Sequence, residues 1–345
     1  MNWIAKPALW MCLWVGLSTL ACAQTYTVTD LGLLPADSAS ASIGINSYGQ
    51  VVGCSDTSTT YWPCSGLYSG HAFLWETTTG MKDLGALHGD KISAAVSIND
   101  SREIVGYSKN PQGIYHAFLW TKKANMIALP VLPGGTTNLA SSINAAGLIV
   151  GSSDFEGSNG NQHAVLWTAD RKIHDLGTLQ GDPSAQAGGI NSHNEVCGNS
   201  SSAAFTWTKA HGMKGLRGFG GESGTVAFSI NDSGTVVGNA QTSSGQHPAL
   251  WNRTGHIRDL GTLSGKYGTA FGANDLDQVV GYATTSSNQP HAFIWSEQNG
   301  MQDLNDLISS DSGWVLVWAS AINRAGQITG WGTINGENHA YVLNP

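Results

Sequence analysis

Apolar residues along this chain fall into short recurring phrases separated by Gly, Ser, Asn and Asp. The phrase HAFLW stands at His71–Trp75 and His116–Trp120 and returns as HAVLW from His163, HAFIW from His291 and HAYVL from His339. Side chains in a strand alternate between faces, so His71, Phe73 and Trp75 share one face and Ala72 and Leu74 the other. Both faces carry apolar groups, which predicts a strand covered on two sides. A second phrase, GINSYGQVVG from Gly44, recurs with its asparagine at positions 46, 99, 144, 191, 231, 274 and 323. It reads as the end of one strand, a four-residue turn, and a second strand.

The residue closing that turn is Gly49, Gly147, Gly234 or Gly326, with Asn194 and Asp277 in two other repeats. These types tolerate positive φ, as a bulged hairpin turn requires. Arg102 is the misfit, expected to be strained or differently turned. Each second strand holds a glycine, at positions 53, 106, 151, 198, 238, 281 and 330. A recurring strand glycine predicts close approach of another backbone or ring. A fourth strand is written MKDLG from Met81, IHDLG from Ile173, IRDLG from Ile257 and MQDLN from Met301.

The repeat therefore occurs seven times, with about 46 residues per unit, the length of a four-stranded propeller blade. The ends complement each other. YTVTDLG (26–32) is a fourth strand with nothing before it, and HAYVLNP (339–345) is a third strand with nothing after it. The expectation is an all-β, seven-bladed β-propeller closed by the N-terminal strand completing the last blade. A different blade count or an open stacked β array is the alternative. Residues 24–345 would form one repeat domain.

Taken together, HAFLW, DLGTLxG and INxxGxVVG resemble the bacterial extracellular HAF-repeat family over essentially all of residues 26–345. The resemblance implies a secreted repeat protein and carries no catalytic residue onto this chain. Departures occur at Ala203, where AAFTW lacks the histidine, and at HPALW, where a proline follows His247. The fourth repeat is accordingly expected to be the least regular.

Only 12% of the 345 residues are charged, with formal net charge −8 and no basic run, so nucleic acid and anionic membrane surfaces are poor partners. Residues 1–23 carry one cation, Lys6, an apolar run over 8–20 and the small-residue site Ala21-Cys22-Ala23, as a secretory signal peptide does. That run is short for a membrane span, and no other segment qualifies as transmembrane. Export to the periplasm or exterior follows, with lipid anchoring through Cys22 as the alternative. Cys54 and Cys64 share one loop and would be joinable by a disulfide after export, whereas Cys197 reads as a small buried hydrophobe.

Histidines 71, 116, 163, 247, 291 and 339 occupy equivalent positions, but ligands spread one per unit around a ring cannot converge on one metal ion. They read as structural, bonded to a neighbouring loop. Asp30, Asp83, Asp175, Asp259 and Asp303 read as turn or hydrogen-bond partners. No metal, no cofactor and no catalytic residue is assigned. The loops between second and third strands vary most. The rim they share with the loops joining successive repeats is the expected ligand face. Tyr61, Trp62, Tyr68, Tyr115 and Phe155 would be its stacking platforms, and Asp154, Glu156 and Asn161 its polar contacts. The reading is a monomeric, secreted, non-catalytic binding or interaction module for an extracellular carbohydrate or protein. The alternatives are an enzyme acting on extracellular polysaccharide or peptidoglycan through Asp90, Asp154, Asp182 or Glu222, and a structural surface or matrix component.

Overall fold

The computed structural model describes residues 25–57, 70–221 and 224–345. Residues 1–23 with Cys22, and Tyr61, Trp62, Cys64, Tyr68 and Glu222, lie outside the described residues. Within them the chain forms 28 β-strands, two short 3-10 turns and no α-helix. No helix among them is long and apolar enough to cross a membrane.

The strands assemble in sequence order into four-stranded antiparallel groups. Five are separate sheets, and the remaining eight strands form one sheet joined by a single parallel bridge between Ala39 and Asn338. The first repeat shows the pattern: Ala39–Ile45, Val51–Asp56, His71–Glu76 and Gly80–Gly85 pair in that order. The N-terminal strand Thr27–Asp30 pairs antiparallel with Glu337–Asn344, from Thr27 opposite Asn344 to Asp30 opposite Tyr341. The fourth repeat keeps all four of its strands despite its departures in sequence.

The core is distributed between neighbouring sheets. Ala72, Phe73, Leu74 and Trp75 are all buried. Phe73 and Trp75 pack with Leu31, Leu34, Ala340 and Val342 on one side, while Ala72 and Leu74 pack with Ile104, Phe118 and Trp120 of the second repeat on the other. Burying a large apolar side chain stabilises by roughly 1.5–3 kcal/mol, so each HAFLW strand ties its sheet to two others.

The second-strand glycines are explained by crowding. A Cβ at Gly53, Gly106, Gly151, Gly198, Gly238, Gly281 or Gly330 would overlap a carbonyl oxygen of the first strand, at Gly198 and Gly281 with a Phe205 or Phe293 ring atom also close. The turn residues all have positive φ, from +53° at Asp277 to +81° at Gly234, and Arg102 adopts +61° despite its side chain. Its guanidinium donates to Glu76 at 2.6 Å, a contact that offsets part of the cost of the left-handed conformation.

Each turn is built by its asparagine. Asn191 Oδ1 accepts from the His193 and Glu195 amides, and its Nδ2 donates to the Asn231 carbonyl at 3.0 Å. The same Nδ2-to-carbonyl bond runs from Asn46 to Asn99, Asn99 to Asn144, Asn144 to Asn191, Asn231 to Asn274 and Asn274 to Asn323, and from Asn323 back to Asn46 at 3.0 Å. An amide that accepts twice locally and donates to the next repeat does what an ionised Asp, which has no donor, cannot do.

Candidate functional site: a central cavity and its loop rim

The residues expected on the rim are largely engaged in holding it together. Asp154 accepts from the Thr136 and Thr137 amides at 2.7 and 2.8 Å and from the Thr136 hydroxyl at 3.0 Å, tying its loop to the joining loop that leads into its own repeat. Asn161 Oδ1 accepts from the Ser184 hydroxyl at 3.2 Å. Phe155 is half-buried, packed on the core beneath it with its ring 4.3 Å from that of His163. Tyr115 sits edge-on to Tyr107 at 5.6 Å with Lys109 Nζ over its ring, and burial, aided by Tyr115, pushes the Tyr107 phenol up to about 12. Glu156 is exposed.

The carboxylates of the enzyme alternative are similarly committed. The Asp90 side chain is only 4% exposed and lies 2.9 Å from His116 Nδ1. Asp182 accepts from the Ser202 amide and hydroxyl, and hydrogen bonds from Ser200 and Ser202 hold its carboxyl below its usual range. Cys54 is disulfide-bonded. Cys197 is a free, buried thiol that burial pushes up to about 12.

Five of the six repeated histidines bond fourth-strand aspartates, and the sixth, His116, bonds a residue of a neighbouring loop, Asp90. His71 to Asp83, His163 to Asp175, His247 to Asp259 and His291 to Asp303 lie within 2.6–3.0 Å, each partner twelve residues on, and His339 meets Asp30 of the N-terminal strand at 2.9 Å. Each aspartate also accepts a backbone amide two residues ahead: Gly32, Gly85, Gly177, Gly261 or Asn305. Where Ala203 replaces the histidine, Gly215 replaces the aspartate. Ala128 stands twelve residues after His116, which turns to Asp90 instead. Among the described residues no group of three His, Cys, Asp or Glu could hold a metal ion.

A different feature gathers chemistry. In all seven first strands the pairing register slips three residues before the asparagine, leaving Ile43, Val96, Ser141, Gly188, Phe228, Phe271 and Ser320 unpaired as bulges. Bulges re-aim side chains. All seven of these residues line one central cavity of about 570 Å³, surrounded by the first strands of every repeat. The backbone is thus the same seven times while the side chain differs.

The cavity has two unlike walls. Repeats five to seven supply Phe228, Phe271 and Trp318, with Tyr282 behind them. Phe271 and Tyr282 lie nearly parallel to Trp318, at 4.3 and 4.6 Å between centroids. They are 6.1 Å from each other, too close to sit on opposite faces of the indole, so they share one face. Phe228 meets Phe271 at 66° and 5.1 Å, forming an aromatic corner, and is 37% exposed. The facing wall carries small groups, among them Ser97, Ser141, Ser142, Gly188 and Gly189. None of the described lining residues is ionisable. Towards the asparagine turns a second cavity of about 280 Å³ is lined by turn residues including Asp100, Asp232, Asp275 and Arg324. Its acids cap neighbouring turns, Asp100 accepting from Ser47 and Asp232 from the Ser192 amide.

No family model and no curated protein matches the chain. Solved structures do. A streptogramin B lyase aligns with TM-score 0.56 at 12% identity over 93% of this chain and 98% of its own. The virginiamycin B lyase of Staphylococcus aureus aligns with TM-score 0.58 at 12% identity, over 93% and 99%. The β-propeller domain of the Trilobed protease of Pyrococcus furiosus, described as having an open velcro topology, aligns with TM-score 0.57 at 7% identity, over 89% and 95%. The fold is a β-propeller. At these identities the likeness extends to the fold alone, and the chemistry of the propeller's axis has to be argued from its own residues.

Phe228, Phe271, Trp318 and Tyr282 were not legible as a site from sequence. The available signal was variability: three residues before each asparagine, an otherwise regular phrase changes from Ile to Gly to Phe. The twelve-residue spacing from His to Asp in four of the repeats was likewise present in the sequence.

Proposed function

We propose that this chain is a secreted protein of the HAF-repeat kind, a seven-bladed propeller closed by its N-terminal strand, acting outside the cytoplasm as a non-catalytic binding module with its ligand in the central cavity. The blade count and closure are supported by the pairing of Thr27–Asp30 with the C-terminal strand and by the asparagine bonds that return from Asn323 to Asn46. One observation carries the function: seven bulges at the same register position bring five different residue types to one cavity, where aromatic groups gather on one side. A cavity of this size, apolar with a few polar groups, suits a small ligand or part of a larger one. The described lining of the cavity carries no ionisable group, so the enzyme alternative would draw its acid and base from the rim carboxylates.

The test is a thermal-melt screen of the purified chain against glycan fragments and peptides, because a ligand bound only by the folded state raises the melting temperature. A rise that Ser141→Trp abolishes, by filling the cavity, supports the module. Turnover of the bound compound would move the assignment to the enzyme. Mass spectrometry of the N-terminus separates a chain cleaved before Gln24 from one lipidated at Cys22.

A further inference from the structure

Resting on that binding-module reading, we infer that the ligand of the central cavity is an uncharged sugar, a neutral oligosaccharide one of whose pyranose rings lies in the aromatic corner of Phe228 and Phe271. Three features of the cavity lead there.

The described lining contains no Lys, Arg, His, Asp or Glu. Moving a charged group from water into such surroundings without a counter-charge is strongly unfavourable, so acidic sugars, phosphates and ammonium groups are disfavoured. The aromatic side is shaped as a corner. Two rings meeting at 66° offer a floor and a wall to a flat, saturated ring whose C–H face is apolar. An aromatic ligand could use the floor as well, but it would leave the opposite side unanswered.

That opposite side decides between them. Among the described residues, the hydroxyls of Ser141 and Ser142 across the cavity, and of Ser229 and Ser320 beside the aromatic wall, have no hydrogen-bond partner. Ser97 is different, since its hydroxyl accepts from the Ile143 amide. A serine hydroxyl both donates and accepts, so it pairs with another hydroxyl in either sense. A pyranose has an apolar face for the aromatic corner and a hydroxyl fringe for the serines. The alternation of apolar face and polar edge in the ligand matches the two walls of the site.

The experiment is calorimetric titration of the purified full chain with maltotriose, cellotriose and N-acetylchitotriose as neutral probes, trigalacturonate as the acidic probe, and an uncharged hexapeptide. Three variants accompany it: Phe228→Ala, a partly exposed side chain whose loss the fold should tolerate; Ser141→Ala with Ser320→Ala; and the cavity-filling Ser141→Trp. The expected result is one-to-one binding of at least one neutral trisaccharide and none of trigalacturonate. Phe228→Ala should weaken that binding about tenfold at unchanged melting temperature, the double serine variant should weaken it less, and Ser141→Trp should remove it. Binding of trigalacturonate or peptide instead, abolished by Ser141→Trp, would overturn the sugar assignment and leave the cavity as the binding site. A neutral sugar that binds Ser141→Trp as well as the unaltered chain would sit elsewhere and overturn the placement. Silence from every probe would remove both the sugar and the evidence for a binding module.

Discussion

Two levels of the same seven strands, three residues apart, follow opposite rules. At the turn, asparagine stands in every repeat and does the same work each time. At the bulge, the backbone is repeated and the side chain ranges from Gly188 to Phe271. Where residue and geometry repeat together, the fold demands them. Where geometry repeats and the residue does not, the fold has been satisfied by backbone alone and the side chain is free to serve a ligand. The division can be tested by substituting on each side of it.

The largest loss should come on the repeated side from Gly281→Ala, whose new Cβ would collide with the Thr269 carbonyl and the Phe293 ring. Denaturant melts should show a loss of roughly 3 kcal/mol, with wild-type stability disproving the crowding argument. Next comes Asn191→Asp, which replaces the amide donor with a carboxylate oxygen facing the Asn231 carbonyl and Glu195. A loss of about 2 kcal/mol is expected in the same assay.

A third effect, absent at neutral pH, concerns Cys197, which stands where five other repeats have valine. Burial raises its thiol from 9.0 to about 12, so the unfolded chain releases the proton first. The associated stability is present below pH 9.0 and is lost as pH rises from there to about 12. Cys197→Val should match the unaltered chain at neutral pH and melt higher than it near the top of that range. Tyr26 and Tyr107, each raised from 10.0 to about 12, and Tyr341, also raised by burial, contribute an alkaline loss in both proteins and set the background. The smallest effect belongs to the variable side: Ser141→Ala with Ser320→Ala should change stability by less than about 0.5 kcal/mol. A large loss there would mean that the bulge residues hold the fold after all.

The same division explains what could be read in advance. Two-sided burial of HAFLW, crowding at the strand glycines, positive φ at Arg102 and the complementary chain ends were legible because each is written several times or sits at a position the repeat defines. The central cavity was not legible, because a bulge shifts the alternation of faces by one residue and no periodicity announces it. Rim positions such as Asp154 and Asn161 look like binding residues in a sequence, since polar loop residues that staple loops together and those that await a ligand are the same residue types. Only the identity of the hydrogen-bond partner separates them.

The asparagine bonds have one more consequence, for the electric field along the axis. All seven run in the same rotational sense, side-chain amide to the next carbonyl. Dipoles aligned head to tail along a helix add to a positive and a negative end. The same dipoles arranged head to tail around a circle cancel across its diameter. The girdle therefore has no pole of its own, and the charge character of the central cavity is set by whichever side chains line it.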